Sequence, residues 1–200
     1  IIFNEEQKIE NFKNQLVHNN DYKLKNELNL GKNLISLQNV SFSYTNKSEG
    51  TLKDISLDIQ KGTFVGVTGE TGAGKSTLFH VMLGLLQPKS GNLFFNDKNI
   101  YSDIEKWRNH VGYIAQNIYL LDDTIEKNIS FDFVNKEIDE DRMNFSIKMS
   151  CLENKIFELP LGLKTKVGND GIRLSGGERQ RIALARAIYR NPDIFFMDES

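Results

Sequence analysis

The sequence has almost no cysteine, no basic excess and no long apolar run, and each absence narrows the possibilities. The single cysteine, Cys151, cannot form an intramolecular disulfide, which fits a reducing compartment. The net charge of −2 and the isoelectric point near 6.0 argue against a general nucleic-acid surface, so we expect no nucleic-acid partner. Apolar runs such as 81–86 and 194–197 are far shorter than the ~20 residues that a membrane-spanning helix needs.

The remaining composition is that of a globular protein. Hydrophobic residues make up 39% and charged residues 26% of the 200 positions, which suits one domain or one domain with a smaller inserted lobe. Residues 1–33 are polar, and we interpret them as a linker or short surface helix. Apolar and polar residues alternate over 40–44 and 55–59, which predicts two half-buried strands joined by a turn at 45–50. A third strand is predicted at 63–67, directly before a glycine cluster.

The rest of the chain has an α/β pattern. After the glycines, a helix with an apolar face is predicted to run to Pro88. Short strands are predicted at 92–95 and 111–115, followed by a mostly helical region. A buried parallel strand is predicted at 193–197. Strand, glycine turn, helix and a later buried strand together indicate the α/β class.

The glycine cluster matches the phosphate-loop pattern G-x-x-x-x-G-K-[ST]. Its glycines let backbone N–H groups turn inward, and the helix that follows aims its positive end at the same point. Lys75 is predicted to neutralise the β- and γ-phosphates, and the Ser76 hydroxyl to ligate Mg²⁺. A chance match has a probability of about 1% or less in a chain of this length. The predicted binding residues for ATP with Mg²⁺ are Gly69, Glu70, Thr71, Gly72, Ala73, Gly74, Lys75, Ser76 and Thr77.

Two carboxylates, Asp198 and Glu199, follow the apolar run 194–197. An ordinary buried strand that leaves the core through a polar turn would have the same pattern. Beside a phosphate loop, the pair is predicted to complete a metal site, with Asp198 holding Mg²⁺ directly or through water. Glu199 is then predicted to polarise the water that attacks the γ-phosphate.

Residues 174–180 open a second helix. Ser175 and Glu178 have the spacing of a capping box, in which each side chain satisfies a backbone donor at the helix start. The box does not account for the adjacent glycines, Gly176 and Gly177. A bare helix start is also a phosphate site, and the two interpretations are compatible.

The segment 174–180 resembles the signature motif of the ATP-binding cassette (ABC) ATPases. The numbers of residues that separate it from the phosphate loop and from the acidic strand end are also similar to those in that family. The resemblance covers nearly all of residues 34–200. It implies a P-loop NTPase fold of ABC ATPase type, with an antiparallel β lobe, a parallel-sheet core and an inserted α-helical subdomain. The expected division is a linker from an upstream transmembrane domain at 1–33, an ATP-binding core at 34–122 and 191–200, and a helical signature subdomain at 123–190.

The resemblance also implies roles for single residues. Tyr44 resembles the aromatic residue that stacks on adenine, and Gln116 resembles the Q-loop glutamine that contacts Mg²⁺ and water. The implied catalytic residues are therefore Gln116 and the base Glu199. The Mg²⁺ ligands implied in this way are Ser76, Gln116 and Asp198. Two domains would pack head to tail around two Mg·ATP, so that the signature of one serves the nucleotide of the other. The residues implied in that role are Leu174, Ser175, Gly176, Gly177, Glu178 and Gln180.

Within the family, the sequence resembles exporters and lipid flippases most. The stretch 159–171 is similar to the segment ahead of their signature, although Lys164 and Asn169 stand where acidic residues are usual. The resemblance implies an ATPase that powers export or flipping from the cytoplasmic face of a bacterial inner membrane. The implied partners are a second copy and a transmembrane domain in the same polypeptide. Further family elements would follow Glu199, so we expect a piece of a longer protein whose 200 residues alone hydrolyse ATP weakly.

Two other functions remain open at this point. One is a soluble ABC ATPase that acts on ribosomes or DNA, although neither a second cassette nor a sustained heptad pattern is visible in these 200 residues. The other is a domain that senses nucleotide, or is structural, without hydrolysing it. The complete set Lys75, Ser76, Asp198 and Glu199 favours hydrolysis.

Overall fold

The computed structural model describes residues 33–44, 50–131, 137–168, 171 and 174–198. In chain order its elements are β1 (Asn33–Phe42), β2 (Leu52–Gln60), α1 (Lys75–Met82), β3 (Ser90–Phe95), β4 (Lys98–Asn99), α2 (Ile104–Asn109), β5 (Val111–Ile114), α3 (Ile125–Ser130), α4 (Glu140–Met149), α5 (Glu153–Glu158), α6 (Gly176–Tyr189) and β6 (Ile194–Met197). Short 3-10 turns lie at Ile100–Ser102 and Gly162–Lys164.

The first sheet is antiparallel, with strand order β2-β1-β3-β4. Leu37 of β1 lies opposite Leu57 of β2 on one side and Leu93 of β3 on the other. The strands predicted at 40–44, 55–59 and 92–95 are therefore confirmed, with β1 ending at Phe42. The turn predicted at 45–50 falls mostly on residues 45–49, which lie outside the described residues.

The second sheet is a parallel pair, β5 and β6, which align from Val111 opposite Ile194 to Ile114 opposite Met197. The predicted strands at 111–115 and 193–197 are thereby confirmed. The expectation that the second is a buried strand is wrong for three of its four residues, because only Phe196 of β6 is buried. Parallel strands end at the same edge of a sheet, so the residues after Ile114 and after Met197 emerge side by side.

The strand predicted at 63–67 is wrong. Residues 63–70 have no regular structure, and the side chains of Phe64 and Val65 are 53% and 48% exposed. Neither described sheet includes this segment. A strand needs a neighbour, because its N–H and C=O groups bond to another strand rather than to one another. Apolar composition suggested a strand here, but the described sheets provide no pairing for it.

Helix α1 ends earlier than predicted. It stops at Met82, and Gly84 takes a left-handed φ of 69°. A Cβ at Gly84 would lie 2.3 Å from Cδ1 of Ile104, so the chain turns where α2 crosses it closely. Leu85 consequently leaves the helix and is 56% exposed, rather than lying on its apolar face.

The described residues form two main apolar clusters. The first lies between the antiparallel sheet, α1 and α2, where Leu37, Val81 and Trp107 are buried. The Trp107 indole N–H also donates to the Met82 carbonyl at 3.0 Å, which fixes α2 against the end of α1. The second cluster lies between α3, α4 and α6, where Ile125 and Ile182 are buried. Helix α6 connects this cluster to the parallel pair, because it packs on β5 as well as on α3 and α4.

The longest described helix, α6, has 14 residues. None of the helices in the described part of the chain combines the length and apolarity needed to cross a bilayer.

Candidate functional site

The phosphate loop, residues 69–76, wraps around the start of α1. Gly72 and Gly74 have left-handed φ values of 86° and 97°, which a side chain would strain. A Cβ at Gly74 would also approach the Thr51 carbonyl oxygen to 3.1 Å. Among the described residues, no side chain caps the start of α1, so its first N–H groups point at the loop without a side-chain acceptor. This arrangement suits an anion, because the positive end of the helix dipole adds to these donors.

Lys75 lies across the loop. Its Nζ donates to the carbonyl oxygens of Gly69 at 2.8 Å and of Glu70 at 2.9 Å. Its described hydrogen-bond partners are thus neutral carbonyls, which leave the positive charge uncompensated. Ser76 is exposed at the same end of α1, whereas Thr77 is buried. The loop therefore presents one full positive charge, a free helix start and a hydroxyl to the same region.

Tyr44 lies next to the phosphate loop. Its hydroxyl is 3.4 Å from the Thr77 Oγ1, and its ring packs edge-on against Phe42 with 5.0 Å between the centroids. The side chain is 40% exposed. The structure brings this predicted aromatic residue to the helix that carries the loop, although the two are 33 positions apart in sequence. Its stacking on adenine stays a prediction.

Asp198 and Gln116 follow the same edge of the parallel pair. The Asp198 N–H donates to the Ile114 carbonyl at 3.0 Å, which extends the pairing by one residue past β6. Burial, and then the negative charge of Asp198, raise the pKa of Tyr113 on β5 above its usual value. Gln116 is exposed two residues after β5. Ligands of open parallel sheets bind at such carboxyl edges.

A contact between two aromatic rings joins the helix of the phosphate loop to the parallel strand pair. Phe79 of α1 packs edge-on against Phe196 of β6, with 5.8 Å between the ring centroids. The helix that starts at the phosphate loop thus packs directly on the strand that ends at Asp198. Glu199 lies outside the described residues, so its predicted role stays a prediction.

The predicted Mg²⁺ ligands are oxygen donors of three kinds. Ser76 offers a hydroxyl, Gln116 an amide oxygen and Asp198 a carboxylate, which fits the preference of Mg²⁺ for oxygen. The described residues contain no group of three or more His, Cys, Asp or Glu that could hold a metal by itself. A site of this kind needs phosphate oxygens to complete the coordination, as Mg²⁺ sites commonly do.

The capping box predicted at the start of α6 is present. The Ser175 N–H donates to Oε2 of Glu178 at 2.7 Å, and the Glu178 N–H donates to Oγ of Ser175 at 3.3 Å. Lys155 of α5 adds an ion pair with Glu178 at 2.9 Å. This lysine, and then the Ser175 N–H, lower the pKa of Glu178 to about 2. The helix start is therefore held from two sides, by its own cap and by α5.

The depressed pKa predicts a pH-dependent contribution to stability. Because Glu178 titrates near 4.5 when unperturbed and near 2 in the fold, its contribution is complete above about pH 4.5 and disappears as the pH falls toward 2. Urea unfolding of wild type and Glu178→Gln should show a difference in midpoint at pH 7 that shrinks between pH 4.5 and 2. Glu153→Gln, at an exposed position of α5, is the control and should follow wild type. A difference that stays constant down to pH 2 would contradict the assignment.

The two glycines after Ser175 leave the helix start uncovered. Both are exposed, and neither takes a left-handed φ. A Cβ at Gly176 would meet nothing within 4 Å, and one at Gly177 would only approach Nη1 of Arg181 at 3.8 Å. Neither backbone conformation nor internal packing therefore requires glycine at these positions.

The signature segment 174–180 and the phosphate loop have different described partners. Helix α6 packs on α3, α4 and β5, and the signature's ion pair is with Lys155. Among the described residues, no hydrogen bond or ion pair joins 174–180 to the phosphate loop. The two candidate phosphate-binding helix starts are thus not bonded to one another in the described part of the chain.

Sequence reasoning missed several residues that organise this region. Asn128 is fully buried in α3, and Arg186 of α6 donates to its main-chain and side-chain oxygens. No motif marks either residue; a polar side chain in the apolar face of α3 was the one available signal.

Lys164, where the sequence departs from the exporter pattern, forms an ion pair with Glu126 of α3. Asn169, the second departure, lies outside the described residues.

Comparisons with known proteins place the chain in a family. The sequence pattern of the family described as ABC transporter matches residues 52–200. An ATP-dependent lipid A-core flippase of Colwellia psychrerythraea is 40% identical over 172 residues, which is 83% of this chain and 28% of the relative. A multidrug resistance ABC transporter ATP-binding and permease protein of Lactococcus lactis is 34% identical over 177 residues, 86% of this chain and 29% of the relative.

A solved structure agrees with these relatives. A bacterial Atm1-family ABC exporter with ATP bound superposes with a TM-score of 0.76 at 29% identity, over 87% of this chain and 30% of that one. The chain spans about a third or less of the length of the relatives that it matches. The likeness confirms the expected α/β class, with its antiparallel sheet and parallel pair. The chain belongs to the ABC transporter family.

Proposed function

We propose that this chain binds and hydrolyses ATP to power export or lipid flipping by an ABC transporter. The observation that carries the proposal is the phosphate loop, where the uncompensated charge of Lys75 lies over the uncapped start of α1. A triphosphate is the ligand that such a site suits best, because it presents several negative charges to one cation and one helix start. Tyr44 beside Thr77 adds an aromatic surface for the base.

The proposed chemistry at the γ-phosphate divides among residues from three elements. Ser76, Gln116 and Asp198 would hold Mg²⁺, which when bound neutralises charge on the phosphates. Lys75 neutralises the same phosphates from the loop side. Glu199, directly after Asp198, accepts a proton from the attacking water. The approach of α1 to β6 through Phe79 and Phe196 supports this division.

The second half of the site would come from another copy. Gly176 and Gly177 carry backbone donors at a helix start that no side chain of their own covers, and the exposed Ser175 lies directly before them. In a head-to-tail pair, these donors would face the γ-phosphate bound by the partner, together with Leu174, Glu178 and Gln180. The proposed division of the chain is the core 34–122 and 191–200, and the helical subdomain 123–190. The linker 1–33 would join it to a transmembrane domain on the cytoplasmic side of the membrane.

The relatives favour transport over the alternative. The Colwellia relative is an ATP-dependent flippase, and the Lactococcus relative is an ATP-binding and permease protein. These names support a transmembrane partner for this chain. No described feature favours a soluble ATPase that acts on ribosomes or DNA.

The proposed trans role of the signature can be tested with Gly177→Asp in the full-length protein. The carboxylate should repel the partner's γ-phosphate, so ATP turnover should fall at least tenfold. The fold should tolerate the change, because a Cβ there meets only Arg181 at 3.8 Å and an acidic residue suits a first turn. Steady-state phosphate release measures the turnover, and calorimetry checks that Mg·ATP still binds.

Asn154→Asp provides the matched control, since it adds the same charge at an exposed position of α5. Its turnover should equal that of wild type. Wild-type turnover in Gly177→Asp would contradict the trans role. Absence of ATP turnover in the wild-type full-length protein would contradict the proposed function itself.

A further inference from the structure

Arg186 of α6 is half-buried, which is an unusual environment for an arginine. Its guanidinium makes three hydrogen bonds to oxygens of α3 and the preceding loop: Nε to the Asn128 carbonyl at 2.8 Å, Nη1 to the Tyr119 carbonyl at 3.1 Å, and Nη2 to Oδ1 of Asn128 at 3.3 Å. Its Cζ also lies 4.5 Å from the centroid of the Phe131 ring. Burial lowers the pKa of this guanidinium below its usual value. These described oxygen partners are neutral, so the contacts fix geometry rather than neutralise charge.

Asn128 continues the network toward β5. It is fully buried, and its side chain accepts from the Leu121 N–H at 2.8 Å and donates to the Leu121 and Thr124 carbonyls at 3.0 Å each. The Asn128 amide thus bonds both the N–H and the carbonyl of Leu121, as a neighbouring strand would do in a sheet. A buried amide with this many partners is costly to disturb, because each lost bond leaves a buried polar group unpaired.

Apolar contacts hold the same loop against α6. Leu120 is fully buried in the cluster that contains Ile182 and Ala185 of α6. Ile118 packs both on that cluster and on Ala183. The segment 116–121, which begins with Gln116, is therefore attached to α6 by the side chains of Ile118 and Leu120 and by the Tyr119 carbonyl, which accepts from Arg186. No comparable set of contacts was expected from the sequence.

We propose that Arg186 and Asn128 are positioning residues that lock the segment 116–121 to α6, so that Gln116 and the signature at the start of α6 move as one body. The inference rests on the proposed function, because it concerns the geometry of that same ATP site. It assigns neither residue to contact with nucleotide. When the partner's nucleotide engages the start of α6, the displacement reaches Gln116 through the Arg186 contacts at Tyr119 and Asn128.

The test is a double-mutant cycle in the full-length protein, with ATP turnover as the readout. Arg186→Met keeps much of the stem and removes the hydrogen bonds, so kcat should fall about tenfold while KM for Mg·ATP changes less than twofold. Gln116→Ala should also lower kcat. The double variant should have the kcat of Gln116→Ala alone, because Arg186 acts through the Gln116 segment. Arg190→Met, at the exposed end of α6, should behave as wild type.

A second variant, Arg186→Lys, tests the inference if Arg186→Met does not fold. Arg186→Lys keeps the charge but cannot span the two carbonyls with a planar fork, so its kcat should lie between those of wild type and Arg186→Met. In this variant, the amides of 117–121 should exchange hydrogen faster, with no change in α1.

Three results would overturn the inference: losses of kcat that multiply in the double variant, a kcat within twofold of wild type in Arg186→Met, or unchanged exchange at 117–121 in Arg186→Lys. A wild-type protein without ATP turnover would instead remove the proposed function, and an unaffected Gln116→Ala would remove the role of Gln116. The cycle therefore separates failure of this inference from failure of the proposal on which it rests.

Discussion

Replacing Lys75 with alanine is expected to weaken Mg·ATP binding about 100-fold, since a lost charge-assisted contact of about 3 kcal/mol corresponds to that change in affinity. The structure gives the reason. The Lys75 ammonium is held over the phosphate loop by the Gly69 and Glu70 carbonyls, and both are neutral. Removing it takes away the positive charge that the loop would offer to the phosphates. Isothermal calorimetry with Mg·ATP measures the change.

The control for this prediction is Lys98→Ala, which removes the same charge from an exposed position on β4. Its affinity for Mg·ATP should match that of wild type. Thermal unfolding should accompany both measurements, because Lys75 also ties the two ends of the loop together through its hydrogen bonds. Unchanged affinity in a folded Lys75→Ala protein would overturn the assignment of the phosphate loop.

Glu199→Gln should lower ATP turnover about 1,000-fold in the full-length protein while leaving Mg·ATP binding intact, because general-base catalysis contributes on the order of 10²–10⁴. The amide occupies the same volume but cannot accept the proton of the attacking water. Binding without hydrolysis should accumulate a dimer with ATP between its halves. Phosphate release and light scattering in Mg·ATP measure the two effects.

Glu105→Gln makes the same chemical change at an exposed position on α2 and should hydrolyse ATP as wild type does. The prediction depends on the position of Asp198, whose N–H continues the β5–β6 pairing at the carboxyl edge. Turnover at the wild-type rate in Glu199→Gln would exclude this residue as the base. Weakened binding would instead indicate that Glu199 contributes to holding nucleotide.

The parts of the site that sequence predicted well are those whose conformation depends on nearby residues. The capping box of Ser175 and Glu178 is an example, because the two side chains need only a helix start and a spacing of three. The phosphate loop is another, since left-handed positions at Gly72 and Gly74 follow from local glycines. Alternation of apolar and polar residues likewise predicted β2, and a continuous apolar run predicted β6, each from its own residues.

Sequence patterns failed where an element depends on a distant partner. Residues 63–67 have the composition of a strand, but no described strand pairs with them. In that segment the deciding contact would come from another part of the chain, so no local window contains it. The early end of helix α1 was missed for a different reason: Gly84 takes a left-handed φ, and the Leu85 N–H donates to the His80 carbonyl, which closes the last turn with local residues.

By itself, the sequence determined the chemistry of this protein: a phosphate loop with Lys75, a capped second helix start and an acidic strand end, each encoded within a few consecutive residues. The tertiary structure alone decided how these pieces are joined. It placed Tyr44 beside Thr77 and α1 against β6, and it attached the segment 116–121 to α6 through Arg186. The physical reason is distance along the chain: Arg186 and Asn128 are 58 positions apart, and only packing of α3 on α6 brings the guanidinium to its acceptors.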